Sequence, residues 1–183
     1  EIKKKFCKLV AIPTTAGAGA EATRHAVLYL DKIKYSIESS FILPDYIIVE
    51  PDLILTAPKD ISASSGIDAL SQAIESLMSK RSNEESVKYS IKSLEYSYKF
   101  LEKHINQKSF DTAHKMSLAA LYAGKAINIS KTTAPHAISY PITSHFGVKH
   151  GQAVSFTLCD CLHYNYKNIK FSETSFDLKS RFN

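Results

Sequence analysis

Cysteine is scarce in this 183-residue chain, which holds three: Cys7, Cys159 and Cys161. The last two are too near in sequence to close a useful loop, and neither a C-x-x-C pair nor a zinc-finger spacing occurs. A disulfide framework is thereby excluded, and reduced thiols in the cytoplasm are expected. No apolar run is long and uninterrupted enough to cross a bilayer, and no secretory leader is recognisable, so no membrane role is expected. No G-x-G-x-x-G follows a strand, leaving no candidate for the pyrophosphate loop of a dinucleotide-binding unit. Internal repeats and low-complexity tracts are missing too. The net charge of +5 and sequence pI near 9.0 would allow nucleic-acid binding. The lysines are scattered, however, with no basic stripe interleaved with aromatics, so no nucleic-acid partner is expected. We read the charge as a solvated lysine-rich surface with some attraction for phosphate- or phosphonate-bearing ligands.

What is present suits one soluble domain or a small pair, with 44% hydrophobic and 22% charged residues. The hydrophobic period changes along the chain. Residues 6 to 12, 26 to 30, 33 to 37 and 46 to 50 are short β-rich runs bounded by turn residues, and the first reads as a buried strand. From about residue 60 the pattern is helical. Ile67, Leu70, Ile74 and Leu77 form one stripe, for which Ser64 or Ser65 is a natural N-cap, so Asp68 is expected in or near the first turn. A second helix is predicted over 84 to 104, with Val87, Ile91, Leu94, Tyr98 and Leu101 on its apolar side. A third, over 111 to 127, carries Met116, Leu118, Leu121 and Tyr122 and is capped by Asp111 or Ser109. Tyr89, Tyr96 and Tyr98 are read as packing rather than as a stacking platform.

Asp68 and Gln72 lie four residues apart and project from one helix face. Taken alone, such a pair is usually solvated surface. Downstream, residues 131 to 151 bring His136, His145 and His150 into a Pro- and Gly-interrupted, otherwise apolar segment. One carboxylate, one amide oxygen and two imidazoles could enclose a single ion, so Asp68, Gln72, His136 and His150 form a candidate metal site.

These residues carry a resemblance. Ala-Ile-Pro-Thr-Thr-Ala-Gly-Ala-Gly-Ala-Glu over 11 to 21, Gly66-Ile-Asp-Ala-Leu, Pro135-His136 and Lys149-His150-Gly151 together resemble the iron-containing (group III) alcohol dehydrogenases. Within that family, residues 68 to 76 and 124 to 136 are similar to the phosphonoacetaldehyde reductase branch. The resemblance implies the dehydroquinate synthase-like fold, α/β followed by mainly α. Residues 1–58 would be the end of a Rossmann-like cofactor-binding domain and 59–183 a truncated helical metal-binding domain. Family members carry an earlier region with a Gly-rich loop, and residues 171 to 183 stop before the family's last helices. The chain is therefore expected to be an internal fragment of a larger enzyme, inactive in isolation.

The family places metal ligands at the positions of Asp68, Gln72, His136 and His150, with His more usual where Gln72 stands. An amide oxygen is a weaker donor than imidazole, so the ion would be held less tightly, a harder ion favoured, or none held. Fe2+ is the first expectation and Zn2+ the second. The Thr14 to Gly17 turn resembles the family's cofactor loop, which makes Thr14, Thr15, Gly17, Thr23 and Lys34 candidates for contact with NAD(P)H. Lys34 is alternatively an exposed strand lysine. The implied reaction is hydride transfer between nicotinamide and a small aldehyde, with phosphonoacetaldehyde preferred and the metal polarising the carbonyl oxygen. Tyr140 or His145 would deliver the proton, unless they are packing and loop residues. Lys131 and Lys149, with Lys125 and Arg24, are the cations available to a phosphonate. Glu75 either orients a ligand or is an ordinary exposed acid. The alternatives are a metal-dependent lyase or hydrolase on the same scaffold, and a non-catalytic metal-binding fragment. A homodimer of the full-length protein suits the family, although no residue pattern here establishes it.

Overall fold

Short polar residues and prolines write the helix starts in this chain. The computed structural model describes residues 2, 4–31 and 33–168. In it, Glu50 caps α1 (Pro51–Leu55) by accepting from the Asp52 amide at 3.2 Å, and Pro51 opens the helix. Pro58 precedes α2 (Lys59–Met78). Asn83 and Ser86 form a reciprocal capping box on α3 (Glu84–Asn106), and Ser109 and Thr112 form another on α4 (Phe110–Ser130). Thr133 and Pro135 begin α5 (Ala134–Phe146), and α6 (His150–Lys167) follows Lys149. The segment read as merely interrupted is thus mostly helix. Pro141 lies inside α5, where it gives up one backbone donor without ending the helix.

Three expectations change. Asp68 is mid-helix, because α2 begins at Lys59 rather than after Ser64 or Ser65. The serines tolerate the helix interior by bonding back to it, as Ser65 Oγ does to the Ile61 carbonyl at 2.7 Å. On α3 the buried face is Ser86, Ser90, Ser93, Ser97 and His104 rather than the apolar row, and Tyr98 is 90% exposed. Small side chains let α3 and α4 pack closely, and Ser93 Oγ donates to the Ala119 carbonyl at 2.8 Å across the contact. The core there is correspondingly small-grained: Ala69, Ala113, Met116, Ala119, Ala120 and Ala123. Tyr89, Tyr122 and Tyr96 stack in a row along these helices.

The third change concerns the β part. The first run shortens to β1 (Val10–Ala11), paired in parallel with β4 (Tyr46–Ile47), and Phe6, Leu9 and Val10 are exposed rather than buried. Among the described residues nothing covers this face. β2 (His25–Leu30) and β3 (Ile33–Glu38) form an antiparallel hairpin whose register runs from Leu30↔Ile33 out to His25↔Glu38. Asp31 leads into the turn at φ 48, a conformation that Asp tolerates. No helix among the described residues is long and apolar enough to cross a membrane.

Two close contacts at glycines fix the approach of these layers. Gly124 of α4 meets the backbone of Gly19, itself at φ 59, leaving no room for a Cβ on either. Gly151 of α6 lies against the Ser64 carbonyl of α2, and a Cβ there would overlap that oxygen. The second contact brings the start of α6 beside the middle of α2.

Candidate metal centre

Asp68 and Gln72 face inward from α2, 5% and 3% exposed. His136 sits in the first turn of α5, and His150 is the first residue of α6. Asp68 Oδ1 lies 3.2 Å from His136 Nε2 and 3.8 Å from His150 Nε2. One donor atom from each of Asp68, His136 and His150 falls within 4.8 Å of the others. The two imidazoles meet edge to face at 5.2 Å between centroids.

Glu75, one turn beyond Gln72, is fully buried and organises the α5 side of the centre. Its Oε1 accepts from His136 Nδ1 at 2.5 Å, while Oε2 accepts from the Thr133 amide at 2.5 Å and from Thr133 Oγ1 at 2.9 Å. With Nδ1 so engaged, His136 Nε2 points to Asp68. This is the carboxylate–imidazole arrangement that fixes the tautomer and orientation of a metal-binding histidine. Burial disfavours charge on His136, but hydrogen bonds to Asp68 and Glu75 outweigh it and push the imidazole up to about 9. The pocket is therefore poised for a cation.

Gln72 adds a second indication. Its Nε2 donates to the Ala18 carbonyl at 3.3 Å, which leaves Oε1 as a buried acceptor with no partner. Buried polar atoms are rarely left unpaired without a reason. A carboxylate oxygen and two imidazole nitrogens within 4.8 Å of one another, with the Gln72 side chain lining the same cavity, fit a divalent ion such as Fe2+ or Zn2+. The residues present therefore fit the group.

The centre opens into a cavity of about 650 Å³, lined also by Thr23, Thr132 and Tyr140, and on the hairpin side by His25, Tyr29, Ser36 and Glu38. Tyr140 stacks near His150, with 6.2 Å between ring centroids, and bonds Thr132. Burial raises its phenol above the usual tyrosine range. Lys131 lines the cavity and pairs with Glu38 at 2.6 Å.

Other predicted site residues are not brought here. His145 is exposed in the last turn of α5, away from the lining. Lys149 pairs with Asp60 at 2.7 Å and lines a separate groove. Arg24 holds Glu38 at 3.0 Å, and Lys125 lies over the Tyr89 and Tyr122 rings. Thr14 and Thr15 are exposed in their loop, and Gly17 is buried against Ser65 of α2. Lys34 lies on β3, but its side chain, like residues 169–183, lies outside the described residues. Sequence reasoning did not single out His25 and Glu38. The hairpin register begins at Leu30↔Ile33, and counting outward from that pair brings these two together.

The model for the Fe-containing alcohol dehydrogenase family, C-terminal, matches residues 62–180, and that for iron-containing alcohol dehydrogenase matches residues 1–51. A phosphonoacetaldehyde reductase from Streptomyces viridochromogenes is 34% identical over 163 residues, covering 87% of this chain and 41% of that protein. The solved sulfoacetaldehyde reductase from Bifidobacterium kashiwanohense, in complex with NAD+, superposes with a TM-score of 0.85 at 35% identity, over 88% of this chain and 44% of that one. An iron-containing alcohol dehydrogenase from Thermotoga maritima superposes with a TM-score of 0.79 at 33% identity, over 85% of this chain and 43% of that one. The chain thus spans less than half the length of each of these relatives.

Proposed function

The chain belongs to the iron-containing alcohol dehydrogenase family, and from that premise we propose that it forms the metal-binding part of a nicotinamide-linked reductase of small aldehydes, with phosphonoacetaldehyde the preferred substrate. The observation that carries this reading is the convergence of the Asp68, His136 and His150 donors in one cavity, which Gln72 also lines with its Oε1 unpaired. The phosphonoacetaldehyde and sulfoacetaldehyde reductases among the relatives support the choice of substrate. We divide the chain into residues 1–58, the end of a Rossmann-like cofactor domain, and 59–183, the helical metal-binding domain; the gap between the two family matches, at 51 to 62, supports the division. Three free cysteines are consistent with a cytoplasmic setting.

Reduction of an aldehyde delivers hydride to the carbonyl carbon and a proton to its oxygen, so negative charge builds on that oxygen in the transition state. A divalent ion held by Asp68, Gln72, His136 and His150 supplies Lewis-acid stabilisation of that charge. Glu75 accepts from His136 Nδ1 and so turns Nε2 toward Asp68 and the centre. Gln72 would contribute a donor without adding charge, so Asp68 would supply the site's carboxylate. The Tyr140 phenol, kept protonated by its buried setting, holds a proton at Oη within the cavity and is our choice of donor. Thr23, on the same cavity, and the exposed Thr14 and Thr15 are our candidates for cofactor contact.

The test has two parts. Metal analysis of protein purified without chelator is expected to return close to one divalent ion per chain, and Gln72→His should tighten or retune binding; unchanged affinity and metal preference would remove Gln72 from the site. The complete polypeptide carrying this chain, loaded with that metal, should consume NADH or NADPH with small aldehydes. Failure with every aldehyde and both coenzymes would sink the reductase reading.

A further inference from the structure

Lys131 is built into this chain at a conformational cost. It is the C-cap of α4 and sits at φ 67, left-handed backbone that glycine adopts freely and a residue with a Cβ does not. Its side chain turns into the cavity, 24% exposed, and lies five residues before His136, so cation and metal ligand sit on one short segment. Strain held at a cavity-lining cation motivates a search for what that cation does.

Its ammonium lies 2.8 Å from His25 Nε2 and 2.6 Å from Glu38 Oε1. His25 and Glu38 face each other at the open end of the hairpin, and both line the cavity. The same Glu38 oxygen also accepts from Arg24 Nε at 3.0 Å. Lys131 is thus the cation this wall presents to the cavity that contains the metal centre, while Arg24, outside the lining, gives Glu38 a second partner. Glu38 is about half exposed. It can give up Lys131 and keep Arg24 without leaving a buried charge alone.

We infer that Lys131 and His25 form the seat for a tetrahedral oxyanion carried by the aldehyde substrate, a phosphonate or sulfonate, and that Glu38 occupies the lysine until the oxyanion displaces it. The inference rests on the reductase reading above and adds to it the residues that select the substrate's tail. An oxyanion with three oxygens can accept from the Lys131 ammonium and the His25 ring together. The aldehyde end of the same small molecule then lies in the cavity shared with Asp68, His136 and His150.

The test uses the complete, metal-loaded polypeptide and separates binding from turnover. Calorimetric titration with methylphosphonate and with methanesulfonate tests the seat without any reaction, and the two arms distinguish a dianion from a monoanion. Lys131→Met should weaken methylphosphonate roughly 10- to 100-fold, the worth of one charge-assisted hydrogen bond. Glu38→Gln should strengthen it several-fold, because it removes the competing carboxylate. A merely structural Lys131–Glu38 pair would instead make both variants weaker. In turnover, Lys131→Met should lower the preference for phosphonoacetaldehyde over propanal by a similar factor. The seat is overturned if neither anion binds, if Glu38→Gln weakens binding, or if Lys131→Met changes only the affinity for coenzyme. If the anions bind as expected but no aldehyde is reduced, the seat stands and the reductase reading falls.

Discussion

Replacing Gly151 with alanine tests whether the approach of α6 to α2 is what completes the metal centre. A Cβ at position 151 would overlap the Ser64 carbonyl oxygen and press on the Asp68 amide, both backbone atoms of α2 that cannot rotate aside. The helices must separate, and overpacking of this kind costs about 1 to 3 kcal/mol. His150 precedes Gly151 and already stands 3.8 Å from Asp68 Oδ1, against 3.2 Å for His136, so the displacement falls on the looser ligand. Metal affinity should fall roughly 10- to 100-fold, the range found when support around a ligand is lost. Gly147→Ala is the control. It sits at φ 68 with open space around the missing Cβ, so it should cost about 1 to 2 kcal/mol of backbone strain and leave metal affinity alone. Urea denaturation of the metal-free protein and metal titration against a competing chelator read the two quantities separately. If Gly151→Ala keeps full metal affinity while Gly147→Ala loses it, close packing does not position His150.

Glu75→Gln should reduce metal affinity about 10- to 100-fold in the same titration, because an amide supplies one accepting oxygen where His136 Nδ1 and Thr133 now use two. Burial, with help from Lys108, pushes the His104 imidazole down to about 4, so the fold favours its neutral form. That contribution is complete above pH 6.5 and is lost as pH falls toward 4, by about 3 kcal/mol in full. The urea midpoint of the wild type should fall over that window, and His104→Leu should flatten the fall; an unchanged slope would refute the assignment. Ser93→Ala should cost about 1 kcal/mol in urea, the net worth of its bond to the Ala119 carbonyl, whereas Ser93→Val should cost more by wedging α3 from α4.

Local chemistry was legible at α3 and α4, and misled at Ser64 and Ser65, which lie inside α2 rather than at its start. The starts of α3 and α4 follow from Asn83 and Ser109, whose side chains satisfy amides three residues on. The two strands of the hairpin were legible to within a residue at each end, though not their pairing. The Asp68, Gln72, His136 and His150 foursome could be chosen because Asp68 and Gln72 share a helix face and the segments around His136 and His150 resemble the family's ligand motifs. The buried face of α3 was not legible. Serine scores as polar, yet a row of serines buries well when the partner helix presents alanines and carbonyl oxygens.

The sequence by itself determined which groups could serve a metal and that α3 and α4 would be helix, since donor chemistry, capping and period act over a few residues. Tertiary structure decided which of those groups meet. Glu75 reaches His136 across 61 positions and His25 reaches Lys131 across 106, while His145 and Lys149, near neighbours of the ligands in sequence, face elsewhere. The reason is that a helix directs each side chain according to its turn, and the packing of Gly151 on Ser64 and of Gly124 on Gly19 sets which faces converge.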